Sequence, residues 1–244
     1  MFNTSVSDEI AARFPRTLIF AFAAMVIDIV VGTPLGVSAA IHQNGWGDRI
    51  CMLVSMAFVS IPSFWLALMM VLLFSVKLDW LPPYGVGGIK YWIMPVIANS
   101  VGGIAGQARQ TRSSMLEVIR SDYVTTARSK GVKERDIIYK HALPNGLIPL
   151  ITMCGQRFAS SLGGTLIIEN VFSIPGMGMY LTDGITNRDY PIVLATVVFL
   201  AIVFCFIMLI LDLCYAFVDP RIRAQYENSS ARKHKRTREV KNNG

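Results

Sequence analysis

Apolar residues gather in five long blocks separated by short polar segments. Residues 17–41 carry one charge in 25 positions, and residues 51–76 carry none. Residues 91–108 are uncharged but rich in Gly, Ala and Asn, residues 146–168 contain only Arg157, and residues 191–211 are uncharged. About 20 mostly apolar residues cross a hydrocarbon core as a helix. The pattern therefore predicts an all-α, polytopic helical membrane protein with about five spans. The first block is too long for a cleaved leader, and Asp8, Glu9 and Pro15 precede it where a basic start would be needed.

Composition agrees. The 244 residues are 53% hydrophobic and 16% charged, with mean hydropathy +0.47, whereas soluble domains are about 25% charged. Cys51, Cys154, Cys205 and Cys214 lie within or beside apolar blocks without a C-x-x-C spacing. They read as small packing residues.

The net charge of +7 is unevenly placed. Segments 42–50, 107–146 and 219–244 hold one, eight and eight Lys/Arg, against two, two and one in 1–16, 77–90 and 167–190. Basic residues are retained on the cytoplasmic side, so the 107–146 segment and the C-terminus are expected there. The N-terminus and the loops after Val76 and Ile168 are then outside. The tail at 218–244, with "RKHKRTR" at 232–238, reads as a solvated segment resting on anionic lipid, which is favoured over a nucleic-acid partner.

Between the third and fourth blocks lies "SDYVTTARSKGVKERDIIYKHALPNG", residues 121–146, with five basic and three acidic side chains. Ser121 or Asp122 is expected to cap a helix that places Tyr123, Ala127 and Lys130 on one face. Gly131 supplies a left-handed or closely approached backbone. A second amphipathic helix follows, with Val132, Ile137, Ile138 and Leu143 apolar. Pro144 and then Asn145-Gly146 are expected to turn the chain back into the membrane. The segment is longer than connectivity needs, which points to an interaction surface.

Thr125-Thr126-Ala127, three residues, Gly131, nine residues, and His141-Ala142-Leu143-Pro144 have the spacing of the EAA loop. That loop marks permease subunits of bacterial ATP-binding-cassette importers. Thr125 stands where Glu is usual and His141 where Ile is usual. More narrowly, "SIPSFWLALMMVLLFSVKLDWLPPYG", "ARQTRSSMLEVIRSDYVTTARSKGV", "ENVFSIPGMGMYLTDGITNRDYPIV" and "LDLCYAFVDPRIR" resemble the first permease of the dipeptide/oligopeptide/nickel family. The resemblance covers nearly everything from Arg13 to Arg223. It implies a transmembrane domain over 13–217, preceded by an outer segment at 1–12. It also implies a coupling loop at 121–146 that docks on an ATPase through Tyr123, Thr126, Ala127, Gly131, Leu143 and Pro144. The implied partners are a second homologous permease, two ATP-binding subunits and an extracytoplasmic substrate-binding protein, in a bacterial inner membrane. Full-length members begin with one more transmembrane helix. The cargo would be peptides or related small solutes, metal chelates among them.

No G-x-x-x-x-G-K-[ST], H-E-x-x-H or G-x-S-x-G occurs, and His42, His141 and His234 are scattered. No enzyme activity, cofactor or metal is expected in this chain. Different readings are a secondary transporter or channel acting alone, or a non-transporting membrane subunit. Asp28 and Arg157 are the two charges deep inside spans. Each lies about 16 Å from the face where its helix enters, near the middle of a core about 30 Å thick. Unpaired charge is expensive there, so the two are expected to pair or to share an aqueous pathway. The alternative is that each is satisfied separately by a partner subunit. Glu169 matches an acidic position of the family near the outer mouth, where the binding protein docks. Gly32, Pro34, Gly36, Pro62, Gly102, Gly103, Pro149, Gly163 and Gly164 are expected to pack or bend helices rather than bind solute.

Overall fold

The computed structural model describes residues 5–218, so residues 1–4 of the outer segment and 219–244 of the basic tail lie outside it. Nine helices and no strand occur among the described residues. Helix α1 spans Val6–Ile41. Ser5 starts it with an extended backbone and accepts the Asp8 amide on its hydroxyl at 3.3 Å, while Asp8 and Glu9 complement the helix dipole. A π-helical turn at Asp28–Gly32 interrupts it.

The block at 51–76 is not one straight span. It forms α2, Trp46–Ser60, and α3, Ser63–Lys77, bent by 92° at the break. Pro62 excludes α geometry from the residue before it, and Ile61 is accordingly extended at φ −82°, ψ 122°. By length and composition two helices can cross a membrane, α1 and the one beginning at Tyr190, or three if α2 and α3 together form one span.

Helix α4, Lys90–Ile119, is the central element and packs against α1, α2 and α3. Its contact with α1 is close because Gly32 and Gly36 lack side chains. A Cβ on Gly32 would overlap Gln107 and Ile104 O, and one on Gly36 would overlap Ala108 O and Thr111. A short helix α5, Asp122–Ser129, follows.

Helix α6 begins at Glu134–Asp136, passes through π-helical turns at Ile137–Ala142 and continues as Leu143–Gly164. The expected exit turn at Pro144-Asn145-Gly146 is therefore absent. The π turn joins the Leu143 amide to Ile138 O, and Pro144, which has no amide to lose, follows at the junction. Gly146 serves packing instead, since a Cβ there would lie 2.7 Å from Met115 Sδ of α4. The chain then forms α7, Leu166–Val171, and α8, Met177–Thr186, and ends in α9, Tyr190–Val218.

Three apolar clusters hold these elements. Phe20, Met94, Ile168, Phe172 and Ile174 join α1, α4 and the α7 region, and Val37, Ala40, Met115, Ile138 and Ala142 join α1, α4 and α6. Ile10, Met177 and Tyr180 join α1 to α8. Only 6% of the most apolar window of α9 is buried, and Leu194, Val198, Ile202, Phe206 and Leu209 stand exposed. Such a face suits hydrocarbon or another apolar helix.

Candidate functional site

The polar segment forms an exposed helix closed by a tight turn. α5 is held from beneath by the fully buried Val124, leaving Tyr123 and Thr126 exposed and Ala127 half-buried. It ends in a Schellman motif: the Gly131 amide bonds Arg128 O at 2.9 Å and the Val132 amide bonds Ala127 O at 3.3 Å. Gly131 has φ +77°, and a Cβ there would meet nothing within 4 Å. Conformation, rather than space within this chain, requires glycine at that point.

A bidentate ion pair closes the turn. Arg128 Nη2 and Nε donate to Glu134 Oε1 and Oε2 at 2.7 and 3.1 Å. The Arg128 hydrogen bonds hold the Glu134 carboxyl below its ordinary range, and Lys140 acts likewise on Asp136. Asn145 Nδ2 donates to Tyr123 Oη and His141 O, each at 3.0 Å, tying α5 to α6. Leu143 is half-buried beside Met115 and Ile138, while Pro144 is exposed. Ser121 occupies the N-cap position without a side-chain cap bond and donates instead to Val118 O at 2.6 Å.

Glu169 is buried, with 0% of it exposed. One carboxylate oxygen accepts the hydroxyls of Thr17 and Thr165 at 2.8 and 3.1 Å. The other accepts the amides of Gly178 and Met179 at 2.7 and 3.2 Å. Those amides begin the ten-residue α8, so a helix N-terminus faces the anion. Thr17 Oγ1 in turn accepts the Met177 amide at 2.8 Å. A Cβ on Gly176 would lie 2.5 Å from Glu169 Oε2, and one on Gly178 would lie 2.5 Å from Leu166 Cα. The glycines of "PGMG" thus leave room for a buried anion.

Asp28 and Arg157 meet. Arg157 Nε donates to Asp28 Oδ2 at 2.6 Å, joining the π turn of α1 to α6. A second ion pair was missed by sequence reasoning. Arg112 of α4 grips both oxygens of Asp48 in α2, with Nη2 to Oδ2 at 2.7 Å, and Asp48 also accepts the Asn44 amide at 2.9 Å. No periodic signal links charges 64 residues apart. Among the described residues no group of three or more His, Cys, Asp or Glu side chains could hold a metal.

The family described as binding-protein-dependent transport system inner membrane component matches residues 32–224. The chain belongs to that family. The permease is 39% identical over 218 residues to the glutathione transport system permease protein GsiC of Escherichia coli K12, covering 89% of this chain and 71% of that protein. The same figures hold for GsiC of Salmonella choleraesuis. Among solved structures, an inward-facing MetNI methionine ABC transporter matches with TM-score 0.73 at 20% identity, over 86% of this chain and 96% of that one. An amino acid ABC transporter matches with TM-score 0.68 at 13% identity, over 86% and 94%. The fold is that of type I ABC importer permeases, and the chain is a permease subunit of an ABC importer rather than a transporter acting alone.

Proposed function

We propose that this permease moves peptides or related small solutes inward by alternating access, with α5 and the start of α6 as the lever that receives force from an ATPase. The observation that supports this most directly is the projection itself. An exposed helix, fixed by Val124, the Arg128–Glu134 bridge and the Asn145–Tyr123 bond, joins a helix that continues into the bundle. Force on Tyr123, Thr126 and Ala127 would pass through the closed turn at Gly131 and along α6.

The assembly expected is two permeases, two ATP-binding subunits and an extracytoplasmic binding protein, with α5 and the C-terminus in the cytoplasm of a bacterial inner-membrane system. A solute of peptide type is favoured by the 39% identity to a glutathione system permease, and metal chelates belong to the same range of cargo. This chain is assigned no catalytic role, since hydrolysis belongs to the ATPases.

Reconstitution of the assembled proteins in proteoliposomes tests the reading. Uptake of glutathione or dipeptides is expected to need ATP and the binding protein and to be indifferent to an imposed proton or sodium gradient. Uptake driven by a gradient alone would overturn it.

A further inference from the structure

We propose that Arg157, resting on Asp28 over the bare backbone of Gly103, is an anion-reading site on the transport pathway that takes a carboxylate of the passing solute. The inference rests on the importer reading above and deepens it.

Two ion pairs with a buried carboxylate among the described residues differ in kind. Asp48 gives both oxygens to Arg112, which is how a fixed structural bridge is built. Asp28 gives one. Its Oδ2 receives Arg157 Nε, while its Oδ1 is buried without a hydrogen-bond partner. The exposure is also lopsided, 4% for the Asp28 side chain against 36% for that of Arg157. A guanidinium has five N–H donors, and among the described residues only Nε is seen to donate. The carboxylate is the buried anchor, and the cation reaches outward with donors to spare.

The α4 face that carries Gly103 is unlike a lipid face. Asn99, Gly102, Gly103, Gly106 and Gln110 follow one another at helical spacing along α4. A Cβ at Gly102 or Gly106 would meet open space, whereas one at Gly103 would overlap Asp28 Oδ2 and Arg157 Nη2. Gly103 thus lets the guanidinium lie against α4, at the margin of a polar stripe almost free of side chains. The exposed face of α9, by contrast, is Leu, Val, Ile and Phe. An exposed guanidinium near mid-span is expensive against hydrocarbon, so it belongs against water or a polar partner.

The chemistry follows. The planar fork of arginine matches a carboxylate better than any other side chain does. Asp28 balances the charge while the site is empty, and an arriving carboxylate competes with it. Orientation without retention results, as a pathway requires.

The test uses the whole transporter in proteoliposomes with S-methylglutathione, which carries no free thiol, as probe. In a background with Cys51, Cys154, Cys205 and Cys214 replaced by alanine, Gly106→Cys, whose Cβ would meet open space and which leaves Arg157 in place, is treated with a water-soluble charged methanethiosulfonate. Labelling is expected, slowed about tenfold by saturating S-methylglutathione with the binding protein. No labelling in either nucleotide state, or labelling indifferent to S-methylglutathione, overturns the proposal; the first would place this face of α4 against the second permease. In parallel, the charge-free variant Asp28→Asn/Arg157→Gln is expected to assemble with its ATPases but to import with a KM raised about tenfold, and Arg157→Lys with a smaller rise. Wild-type KM in the charge-free variant also overturns it. Failure of the unaltered transporter to show ATP-driven uptake is a separate result that strikes the importer reading, while the labelling experiment still decides whether the α4 face beside Gly103 is open to water.

Discussion

The carboxylate of Glu169 and the amide of Gly178 meet at 2.7 Å inside the protein, with no part of Glu169 exposed. That bond, with those of Thr17, Thr165 and Met179, joins α1, α7 and the start of α8 into one unit. Arg16 Nη1, which donates to Pro175 O at 3.2 Å, and Arg13 stacked on Tyr180 at 4.8 Å reinforce the same junction.

Glu169→Ala is expected to destabilise the protein by about 3 kcal/mol, since two amides and two hydroxyls lose a charged acceptor. Glu169→Gln should lose less, because one carbonyl oxygen remains. Thermal unfolding in detergent checks the order. If Glu169→Ala unfolds at the wild-type temperature, the junction has no structural weight.

Asp48 and Arg112 fix the elbow helix α2 to α4. Removing one partner of a mostly buried pair costs about 3–5 kcal/mol, and here the side chains are 4% and 22% exposed. Arg112→Ala is expected to fall in that range or just below it, and Arg112→Lys to recover part of the loss, because an ammonium cannot grip both oxygens. Equal unfolding temperatures for the alanine and lysine variants would contradict a bidentate role.

Gly131 sits at φ +77°. Gly131→Val should strain the Schellman turn by about 1–2 kcal/mol while leaving membrane insertion intact. ATP hydrolysis is then expected to uncouple from uptake. Coupled uptake at the wild-type level in this variant would remove the turn from the mechanism.

The Arg128–Glu134 pair closes that turn and is partly solvent-exposed, at 39% and 56%. Glu134 has its carboxyl held below the ordinary range by Arg128. Its contribution is therefore present above the unfolded-state value, about pH 4, and is lost as pH falls through the lower folded-state value. Exposed pairs give only about 0–1 kcal/mol. The protection factors of the amides in residues 128–134, taken relative to the intrinsic exchange rate at each pH, are expected to fall with acid and with salt, and Glu134→Gln should abolish that dependence. An unchanged dependence in the variant would exclude the pair.

Hydropathy foretold the all-α architecture because lipid-facing helices such as α9 need apolar residues on every side. It was less informative for α4 and α6, whose Gly, Ala and polar residues face other helices. The elbow at Ile61-Pro62 lies inside an uncharged block, where hydropathy is blind and only the proline speaks. Pro144 and Gly146 misled in the opposite direction. A π turn absorbed the proline, and Met115 packing explained the glycine. The meeting of Asp28 and Arg157 was within reach of a depth argument, because two unlike charges at similar depth are costly apart. Asp48–Arg112 and the buried setting of Glu169 depend on packing between distant segments, and spacing within either segment does not encode it.

The most direct measurement is photo-crosslinking from a benzophenone side chain at Thr126 in the assembled transporter. The expected product joins this permease to an ATP-binding subunit, with a yield that changes between ATP-bound and nucleotide-free states. Crosslinks only to lipid, or only to an extracytoplasmic protein, would contradict the assignment of α5 as the element that receives the force of hydrolysis.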